Sequence, residues 1–349
     1  MSLRARTLIV GSTVSALLIG VGLAVPIPYV ALGPGVTYNT LGSAEGTPVI
    51  SFAGSGVPAT VKQSDGGGHL NMTTVSVYDQ LPMFEALTMW MSGNYALVPR
   101  AEVYPPDKTV EQVNAQNTKD FSDSQTAAEI AALRYLKYPN VVYVGTIAEG
   151  SPSYNVLQPQ DQITNVDGAA VTDFASLQAS LKNSLPGQVV VVRVLRGQKS
   201  VDVKVKLAAN AQAGKQGFLG IGAAERPKAP FTISISLANI GGPSAGLMFT
   251  LGILDKLTPG GLTAGRFIAG TGTMEVDDNK GTVGPIGGIL LKMIAARAEG
   301  ASVFLVPADN CPEALTRVPD GLELAKVSTL DDAVKALKTL AAGGTPPSC

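Results

Sequence analysis

The chain has 349 residues, of which 45% are hydrophobic, and this is enough for two or three domains with buried cores. Charged residues make up only 15%, and the formal net charge is −1. A chain with this charge has no basic field to attract phosphate backbones, which argues against a nucleic-acid partner. We expect a multidomain protein.

The N-terminal segment, residues 1–30, is predicted to be a membrane anchor. Arg4 and Arg6 precede a stretch without charge that continues to Glu45. Its apolar part, 8–25, is close to the roughly 20 residues that span a bilayer and exceeds a signal-peptide core. The two arginines predict a single-pass protein of the cell membrane with a cytoplasmic N-terminus and extracytoplasmic domains. A cleaved signal is the alternative, and it also exports the rest of the chain.

An exported chain changes how its two cysteines, Cys311 and Cys349, are interpreted. Disulfides persist in oxidising compartments, so one bridge could tie the C-terminal tail to the body. Two unlinked thiols are the alternative. These distant cysteines and the lone histidine, His69, do not make a zinc ligand set, so no metal or cofactor is expected. His69 is interpreted as an ordinary turn residue before a strand.

Residues 31–139 are predicted to form a juxtamembrane α/β region. The phrase "HLNMTTVSVY" alternates as a strand does, whereas "SDSQTAAEIAALRYLKYP" has helical spacing. Ser124 is the candidate N-cap of that helix, and Pro139 is expected to end it.

Residues 140–210 contain strand-like "NVVYVGTI", a short helix, and a hairpin that pairs "VVVVRVL" with "KSVDVKVKL" through Arg196, Gly197 and Gln198. The phrases "GSP" and "LQPQDQITNVDGAAV" resemble bacterial protease-associated PDZ domains, with Gln160 where that family has glycine. The resemblance implies a small β-barrel with helices that binds extended peptides, commonly C-terminal ends, at a sheet edge. A spacer between membrane and proteolytic domain is the alternative.

Residues 217–342 carry the candidate chemistry. In "GGPSAG", Ser244 stands at a glycine-rich turn before an apolar run of helical length, where free N–H groups can stabilise an oxyanion. Gly241 and Gly242 allow the backbone to approach a bound peptide closely. A plain helix cap is the alternative interpretation of Ser244.

The base that would activate Ser244 is a lysine, because the single histidine lies far upstream in the sequence. Lys292 is flanked by apolar residues on both sides in "GGILLKMIAARAEG". An apolar setting makes its ammonium costly, so a fraction of the amine is neutral and can act as a base. The alternative is a lysine whose amine reaches past the apolar residues to water.

Taken together, "GGPSAG" and "PIGGILLKMIAA" resemble the nucleophile and lysine motifs of the Lon family of Ser/Lys peptidases. The resemblance implies a C-terminal α+β proteolytic domain with Ser244 as nucleophile and Lys292 as general base. It also implies a supporting role for Thr271, which would help to hold the lysine amine, and Gly242 is a further supporting residue. Polypeptides are the implied substrates.

The chain departs from the Lon pattern at three points. Gly241 replaces an acidic residue, the hairpin from Thr271 to Gly281 is slightly longer, and no G-x-x-x-x-G-K-[ST] nucleotide site is present. The order of anchor, PDZ and Lon-type domain resembles bacterial membrane-anchored, ATP-independent Lon-like proteases. That resemblance implies an endopeptidase acting on exported or unfolded proteins, and a homo-oligomer.

Two other functions compete with this interpretation. In the first, the chain is a catalytically silent PDZ and Lon-like scaffold that binds membrane or exported partner proteins. The presence of Ser244, Lys292 and Thr271 together argues against a scaffold, which has little need of all three. The second is an exported esterase or amidase acting on small molecules, which would leave the PDZ unit without a purpose.

Overall fold

The computed structural model describes residues 3–59, 61, 67–197, 199–209, 216–238, 240–276 and 280–349. Its helices are α1 (Leu3–Ala24), α2 (Met83–Met91), α3 (Arg100–Val103), α4 (Val110–Tyr135), α5 (Phe174–Leu181), α6 (Gly246–Leu257), α7 (Ile289–Ala298), α8 (Cys311–Ala314) and α9 (Leu330–Ala341). Its strands are β1 (Tyr29–Asn39), β2 (Ser43–Ala44), β3 (Thr47–Pro48), β4 (Ile50–Ala53), β5 (His69–Tyr78), β6 (Ala96–Pro99), β7 (Asn140–Ile147), β8 (Gln162–Val166), β9 (Ala169–Ala170), β10 (Val189–Arg196), β11 (Lys199–Lys206), β12 (Ala208–Ala209), β13 (Gly217–Phe218), β14 (Ile221–Pro227), β15 (Thr232–Ile235), β16 (Phe267–Gly270), β17 (Thr273–Met274), β18 (Val283–Gly284), β19 (Val303–Pro307) and β20 (Glu323–Val327). The α+β class expected from the sequence is confirmed.

The chain divides into two compact units. The first combines Met1–Ala132 with Phe231–Cys349, and the second is Leu133–Pro230. The sequence-based division instead kept 31–139 apart from 217–342. Strands β1, β5 and β6 belong to the same sheet as β16, β19 and β20, so these two segments build one body.

The sheet of the first unit has six strands in the order β20-β19-β16-β5-β1-β6. The strands from β20 to β5 pair in parallel, whereas β1 pairs antiparallel with β5 and with β6. Helices α6 and α7 pack against β5, and α7 also packs against β1. The predicted strand at 69–78 is β5, which lies inside this sheet rather than in an irregular region.

Helix α1 is 22 residues long, apolar, and exposed along nearly its whole length. Length and composition make it a candidate membrane span, which a signal sequence would also satisfy. Near the other end of the chain, Cys311 and Cys349 form a disulfide. Of the two alternatives left open for the cysteines, the bridge is therefore the one present in the structure.

The prediction that Ser124 caps its helix is wrong. Helix α4 begins at Val110, so Ser124 lies in its interior. The cap is at Thr109, whose N–H donates to the Gln112 side chain at 2.9 Å, while its hydroxyl accepts from the Gln112 N–H at 3.2 Å. The first half of α4 is polar, so apolar spacing did not reveal it.

The second unit is an antiparallel sheet in the order β11-β10-β8-β7-β14, with β9 added beside β8. Inward valines and leucines of these strands form its core together with Leu177 of α5. The predicted hairpin is β10 and β11, in register from Val189–Lys206 to Arg196–Lys199. Gln198, which was assigned to its turn, lies outside the described residues.

The backbone conformation at Gln160 shows why the PDZ-like phrase ordinarily has glycine at this position. Its φ is 73°, in the left-handed region that glycine adopts without steric cost. The next residue, Asp161, is buried and pairs through both oxygens with Arg196, at 2.8 and 2.7 Å. The departure from the family pattern therefore places backbone strain at Gln160 and keeps the turn.

Candidate active site

Ser244 lies on the turn that leads from β15 into α6, and this turn is fixed by α4. Gly242 has φ 87°, and its N–H donates to the Asn117 carbonyl at 2.8 Å. The Ser124 hydroxyl donates to the Pro243 carbonyl at 3.1 Å. The segment before Ser244 is therefore bound to one helix at two successive residues.

The segment 271–274 fixes the other side of the turn. The Gly272 N–H donates to the Ser244 carbonyl at 2.9 Å, and the Leu247 N–H donates to the Gly272 carbonyl at 3.1 Å. Ser244 stands two residues before α6, whose first N–H groups have no partner within the helix. Within the described ranges, no acceptor binds the Ser244 N–H itself. It is thus available to stabilise negative charge beside the hydroxyl.

Lys292 comes from the second turn of α7, which begins after Gly288 at a φ of 70°. Its Nζ donates to the Ser244 Oγ at 2.7 Å and to the Thr271 Oγ1 at 3.0 Å. The Thr271 hydroxyl in turn donates to the Ser244 carbonyl at 3.0 Å. The three residues that the sequence singled out therefore meet in one hydrogen-bonded cluster.

Burial changes the acid–base chemistry of Lys292. The residue is only 3% exposed, so its amine does not reach solvent as the alternative interpretation required. Desolvation lowers the pKa of Lys292 from 10.5 to about 7 because the ammonium form loses its hydration. Among the described residues, no ion pair compensates it. A large fraction of this lysine is thus neutral near pH 7, with a lone pair that can accept a proton.

Asn310 fixes the segment that leads into α7. Its side chain accepts from the Ile286 N–H and donates to the Ile286 carbonyl, both at 2.9 Å. Asn310 is buried and directly precedes Cys311 of the disulfide. Sequence reasoning gave neither Asn310 nor Asn117 a role, because each acts through contact with a segment distant in the chain.

A cleft of about 620 Å³ opens on the Ser244 hydroxyl. One wall is the second half of β5, and Tyr38, Phe121 and Gly287 add to the lining. Ser244 and Lys292 both line it. This volume falls within the range of small-molecule sites, so the cleft is large enough for a ligand to lie beside the hydroxyl.

Two further sequence-predicted residues have other surroundings. Gly242 lies in the same turn, but its N–H is bound to Asn117 and does not point to an oxyanion. His69 begins β5, its ring stacks on Phe267 at 4.4 Å, and Asn39 Nδ2 lies 3.4 Å from its Nδ1. The prediction that His69 is a turn residue before the strand is therefore wrong, since it is the first residue of β5 and its contacts are structural.

The second unit has a groove of its own, of about 750 Å³, between α5 and the segment 217–223. Phe174, Leu177 and Leu181 line one side, and Phe218 and Ile221 line the other. Phe174 and Phe218 are each 39% exposed. The groove is therefore apolar and open, as a receptor for an extended peptide would be.

Known families match two parts of the chain. Residues 113–207 match the PDZ domain, and residues 238–339 match the Lon protease (S16) C-terminal proteolytic domain. The Lon protease of Azospirillum brasilense is 39% identical over 98 residues, which cover 27% of this chain and 11% of that protein. The Lon protease of Lachnoclostridium phytofermentans is 26% identical over 242 residues, covering 64% of this chain and 29% of that protein.

Among solved structures, the PDZ domain of an SdrC-like protein from Listeria monocytogenes is 28% identical, with a TM-score of 0.22, covering 24% of this chain and 86% of that one. The chain spans less than a third of the length of the two Lon relatives. The expected resemblance is confirmed at the level of domains, since the chain combines a PDZ domain with a Lon-type proteolytic domain.

Proposed function

Because a PDZ domain and a Lon-type proteolytic domain share this chain, we propose that it is an ATP-independent serine endopeptidase anchored in the membrane by α1. The observation that carries the proposal is the 2.7 Å hydrogen bond between Lys292 Nζ and Ser244 Oγ, made by a lysine whose pKa is about 7. This pair places a neutral base on a hydroxyl nucleophile at neutral pH.

In the proposed mechanism, the Ser244 Oγ attacks a peptide carbonyl carbon while its proton passes to the Lys292 amine. The tetrahedral oxyanion is stabilised by the Ser244 N–H and the N-terminal end of α6. The Lys292 ammonium then gives the proton to the leaving amine, and the C–N bond breaks to leave an acyl-enzyme. Water, deprotonated by Lys292, releases the acyl group and restores the hydroxyl.

Thr271 acts through Lys292 rather than on the substrate. Its hydroxyl donates to the Ser244 carbonyl, so its lone pairs face the lysine amine. This arrangement holds Nζ on the Ser244 side. We therefore assign Thr271 a positioning role.

Exported or unfolded polypeptides are the proposed substrates, because a cleft of about 620 Å³ opens beside Ser244 and the sequence contains no G-x-x-x-x-G-K-[ST] site for ATP-driven unfolding. The groove along α5 is the proposed receptor for a peptide segment of substrate or partner. The Arg4 and Arg6 flank supports a cytoplasmic N-terminus and extracytoplasmic domains. A homo-oligomer is proposed by analogy with the Lon family.

The test uses the full chain in detergent with a loosely folded protein substrate and no ATP. Labelling with a fluorophosphonate serves as a second readout of the serine that does not depend on substrate choice. Ser244→Ala and Lys292→Arg are compared with Ser200→Ala and Lys338→Arg, which change an exposed serine and an exposed lysine. Arginine keeps its charge at any accessible pH and cannot act as the base.

Cleavage reduced by about 10³-fold or more in the first two variants and unchanged in the other two would support the mechanism, because members of such a pair act as a unit. Equal cleavage in all four would identify another nucleophile. A wild-type chain that neither cleaves nor reacts with fluorophosphonate would favour the scaffold.

A further inference from the structure

Helix α2 has an apolar surface that the described part of the chain leaves uncovered. Met83, Leu87, Trp90 and Met91 recur at intervals of three to four residues along one side of the helix, the α2 apolar face. Trp90 is 59% exposed and Met91 is 73% exposed. Another side, with Ala86, is buried against the domain. The surfaces of soluble proteins seldom group large apolar side chains in this way, which indicates that lipid or another protein covers the α2 apolar face.

The start of α2 is fixed to the end of α1. The Ile27 N–H donates to the Leu81 carbonyl at 2.9 Å, which pairs the segment after α1 with the segment before α2. A Cβ on Gly22 would lie 2.5 Å from the Phe84 ring, so only glycine lets that ring lie against the backbone of α1. The first turn of α2 therefore lies beside the last turn of α1.

This attachment sets the depth of α2 in a bilayer that α1 spans. The 22 residues of α1 extend about 33 Å at 1.5 Å per residue, close to the roughly 30 Å hydrocarbon thickness. Its last turn then lies at the outer boundary of the hydrocarbon, and α2 begins at that level. Tryptophan is enriched at this boundary, because its ring is apolar and its N–H needs a polar partner.

A charged side chain contacts the residues that follow α2. Arg317 donates to the Gly93 carbonyl, and its other terminal nitrogen lies 3.3 Å from the Asn94 side-chain oxygen. These contacts place a guanidinium next to the end of α2, and a guanidinium is a group that pairs with lipid phosphate. The α2 apolar face is also small, since a nine-residue helix cannot supply the roughly 800 Å² per partner of a stable protein interface.

We propose that the α2 apolar face inserts into the outer boundary of the lipid bilayer, as a second membrane contact beside α1. The occupant of the face is lipid rather than a second copy of the chain. The inference rests on the proposed anchoring by α1. It extends that proposal, because a chain attached at two neighbouring elements has its first unit held at a defined depth rather than tethered by one helix.

The sole tryptophan of the chain is Trp90, so its fluorescence reports on this face without a variant. The full chain is reconstituted in vesicles of phosphatidylcholine and phosphatidylglycerol, some carrying bromine atoms near the glycerol end of the acyl chains. We expect blue-shifted emission, quenching by the brominated lipids, and at least about three-fold weaker quenching by aqueous iodide than in the control, since hydrocarbon excludes the anion.

The matched control moves the probe to the polar side of the same helix. Thr88 is exposed and lies about 160° around α2 from Trp90. In the variant Trp90→Phe with Thr88→Trp, the new indole is expected to be open to iodide. Equal iodide quenching of Trp90 and of this control would overturn the inference.

Flotation of the full chain with the vesicles tests α1 separately. A chain that does not float refutes the anchoring and this inference together, whereas a floating chain with iodide-accessible Trp90 refutes the inference alone. Nanodiscs that each hold one chain decide the occupant. Protection of Trp90 that persists there supports lipid, and protection that disappears there assigns the face to a second copy.

Discussion

The Thr271 hydroxyl accepts a hydrogen bond from the Lys292 amine at 3.0 Å. The same hydroxyl donates to the Ser244 carbonyl, so its single proton is committed and only its lone pairs face the lysine. Thr271 thus links the backbone of the proposed nucleophile to the side chain of the proposed base. The hydroxyl of Thr271 and the shape of its side chain both contribute to this link. Substitutions that change one and keep the other separate the two contributions.

Thr271→Val keeps the shape of the side chain and removes the hydroxyl, whereas Thr271→Ser keeps the hydroxyl. We expect the valine variant to lose roughly 10- to 100-fold in kcat/KM, as misplacement of a reacting group does, and the serine variant to stay near wild type. Loss of an acceptor also disfavours the ammonium form, so the pKa of Lys292 falls and the acid limb of the pH–rate profile moves to lower pH. A valine variant with the wild-type rate and profile would contradict the positioning role.

The activity of the wild-type chain is expected to rise as the pH increases through about 7. The neutral amine is the reactive form, and burial lowers the pKa of Lys292 to about 7. A lysine at its ordinary pKa of 10.5 would place the midpoint more than three units higher. The measurement is kcat/KM against pH in detergent, with Lys338→Met as a control that leaves the profile unchanged. A midpoint near 10 would mean that Lys292 is not the base or is hydrated during turnover.

The same pKa shift makes a prediction about stability. The folded-state pKa of Lys292 lies near 7 and the unfolded value near 10.5, so the unfolded chain binds more protons between them and wild-type stability rises with pH in this window. Below pH 7 the charged lysine destabilises the fold by roughly 5 kcal/mol, at 1.36 kcal/mol per pKa unit. Lys292→Met removes this cost and loses the hydrogen bonds to Ser244 and Thr271.

The stability advantage of Lys292→Met over wild type is therefore expected to shrink as the pH is raised from 7 to 10.5. Urea unfolding of both chains across this range measures the difference, and Lys338→Met supplies the exposed comparison. An advantage that is constant with pH would show that the buried amine does not titrate in this window.

Local sequence patterns predict the strands and helices that carry the candidate site. They do not predict which of these strands pair with one another. The strand predicted at 69–78 is β5, although residues 70–73 are all buried instead of alternating, and the two motifs carrying Ser244 and Lys292 predict that these residues meet. The pairing of β5 with β16 was not predictable, because it joins segments almost 200 residues apart and leaves no local trace. The sequence consequently predicts a separate juxtamembrane region, whereas in the structure this region shares a sheet with the C-terminal domain.

Helix α4 is a different case, since its start does carry a signal. Thr109 and Gln112 have the T-x-x-Q spacing of a capping box, but the residues after them are polar and show no apolar periodicity that predicts a helix. The first half of α4 matters for the candidate site as well as for the fold. Asn117 and Ser124 bind the turn before Ser244. A helix predicted to begin at Ser124 leaves out Asn117 and gives Ser124 a capping role, so it predicts neither contact.

Gly241 replaces the acidic residue of the Lon motif, and α4 supplies the reason. A Cβ at Gly241 would lie 2.8 Å from the Cβ of Asn117. We expect Gly241→Ala to destabilise the chain by about 1–3 kcal/mol through overpacking and to lower activity by displacing the turn. Asn117→Gly removes the opposing Cβ at a cost of roughly 0.3 kcal/mol in a helix interior, because asparagine is itself a poor helix former.

The double variant decides whether this contact is the cause. With Asn117→Gly already present, Gly241→Ala should lose much less stability and activity than it does alone, giving a favourable coupling energy between the two sites. Unfolding free energies and kcat/KM of the four chains measure it. Strictly additive effects would mean that the alanine acts elsewhere, and the departure from the Lon motif would then have no explanation in α4.

The Cys311–Cys349 disulfide and Asn310 are neighbours in the chain but are expected to affect different properties. The bridge closes a loop of 38 residues, for which chain entropy predicts a loss of about 4 kcal/mol in unfolding free energy when both cysteines are changed to serine. Asn310, by contrast, binds the backbone of Ile286, three residues before α7 and its lysine. Its hydrogen bonds do not involve either sulfur.

Below its lowered melting temperature, the double serine variant should therefore cleave substrate and react with fluorophosphonate at close to the wild-type rate. Asn310→Ala should slow both reactions at the same temperature, because the start of α7 loses two hydrogen bonds and the Lys292 amine is less firmly held against Ser244. A double serine variant as slow as Asn310→Ala, while still folded by circular dichroism, would show that the bridge itself positions the lysine helix.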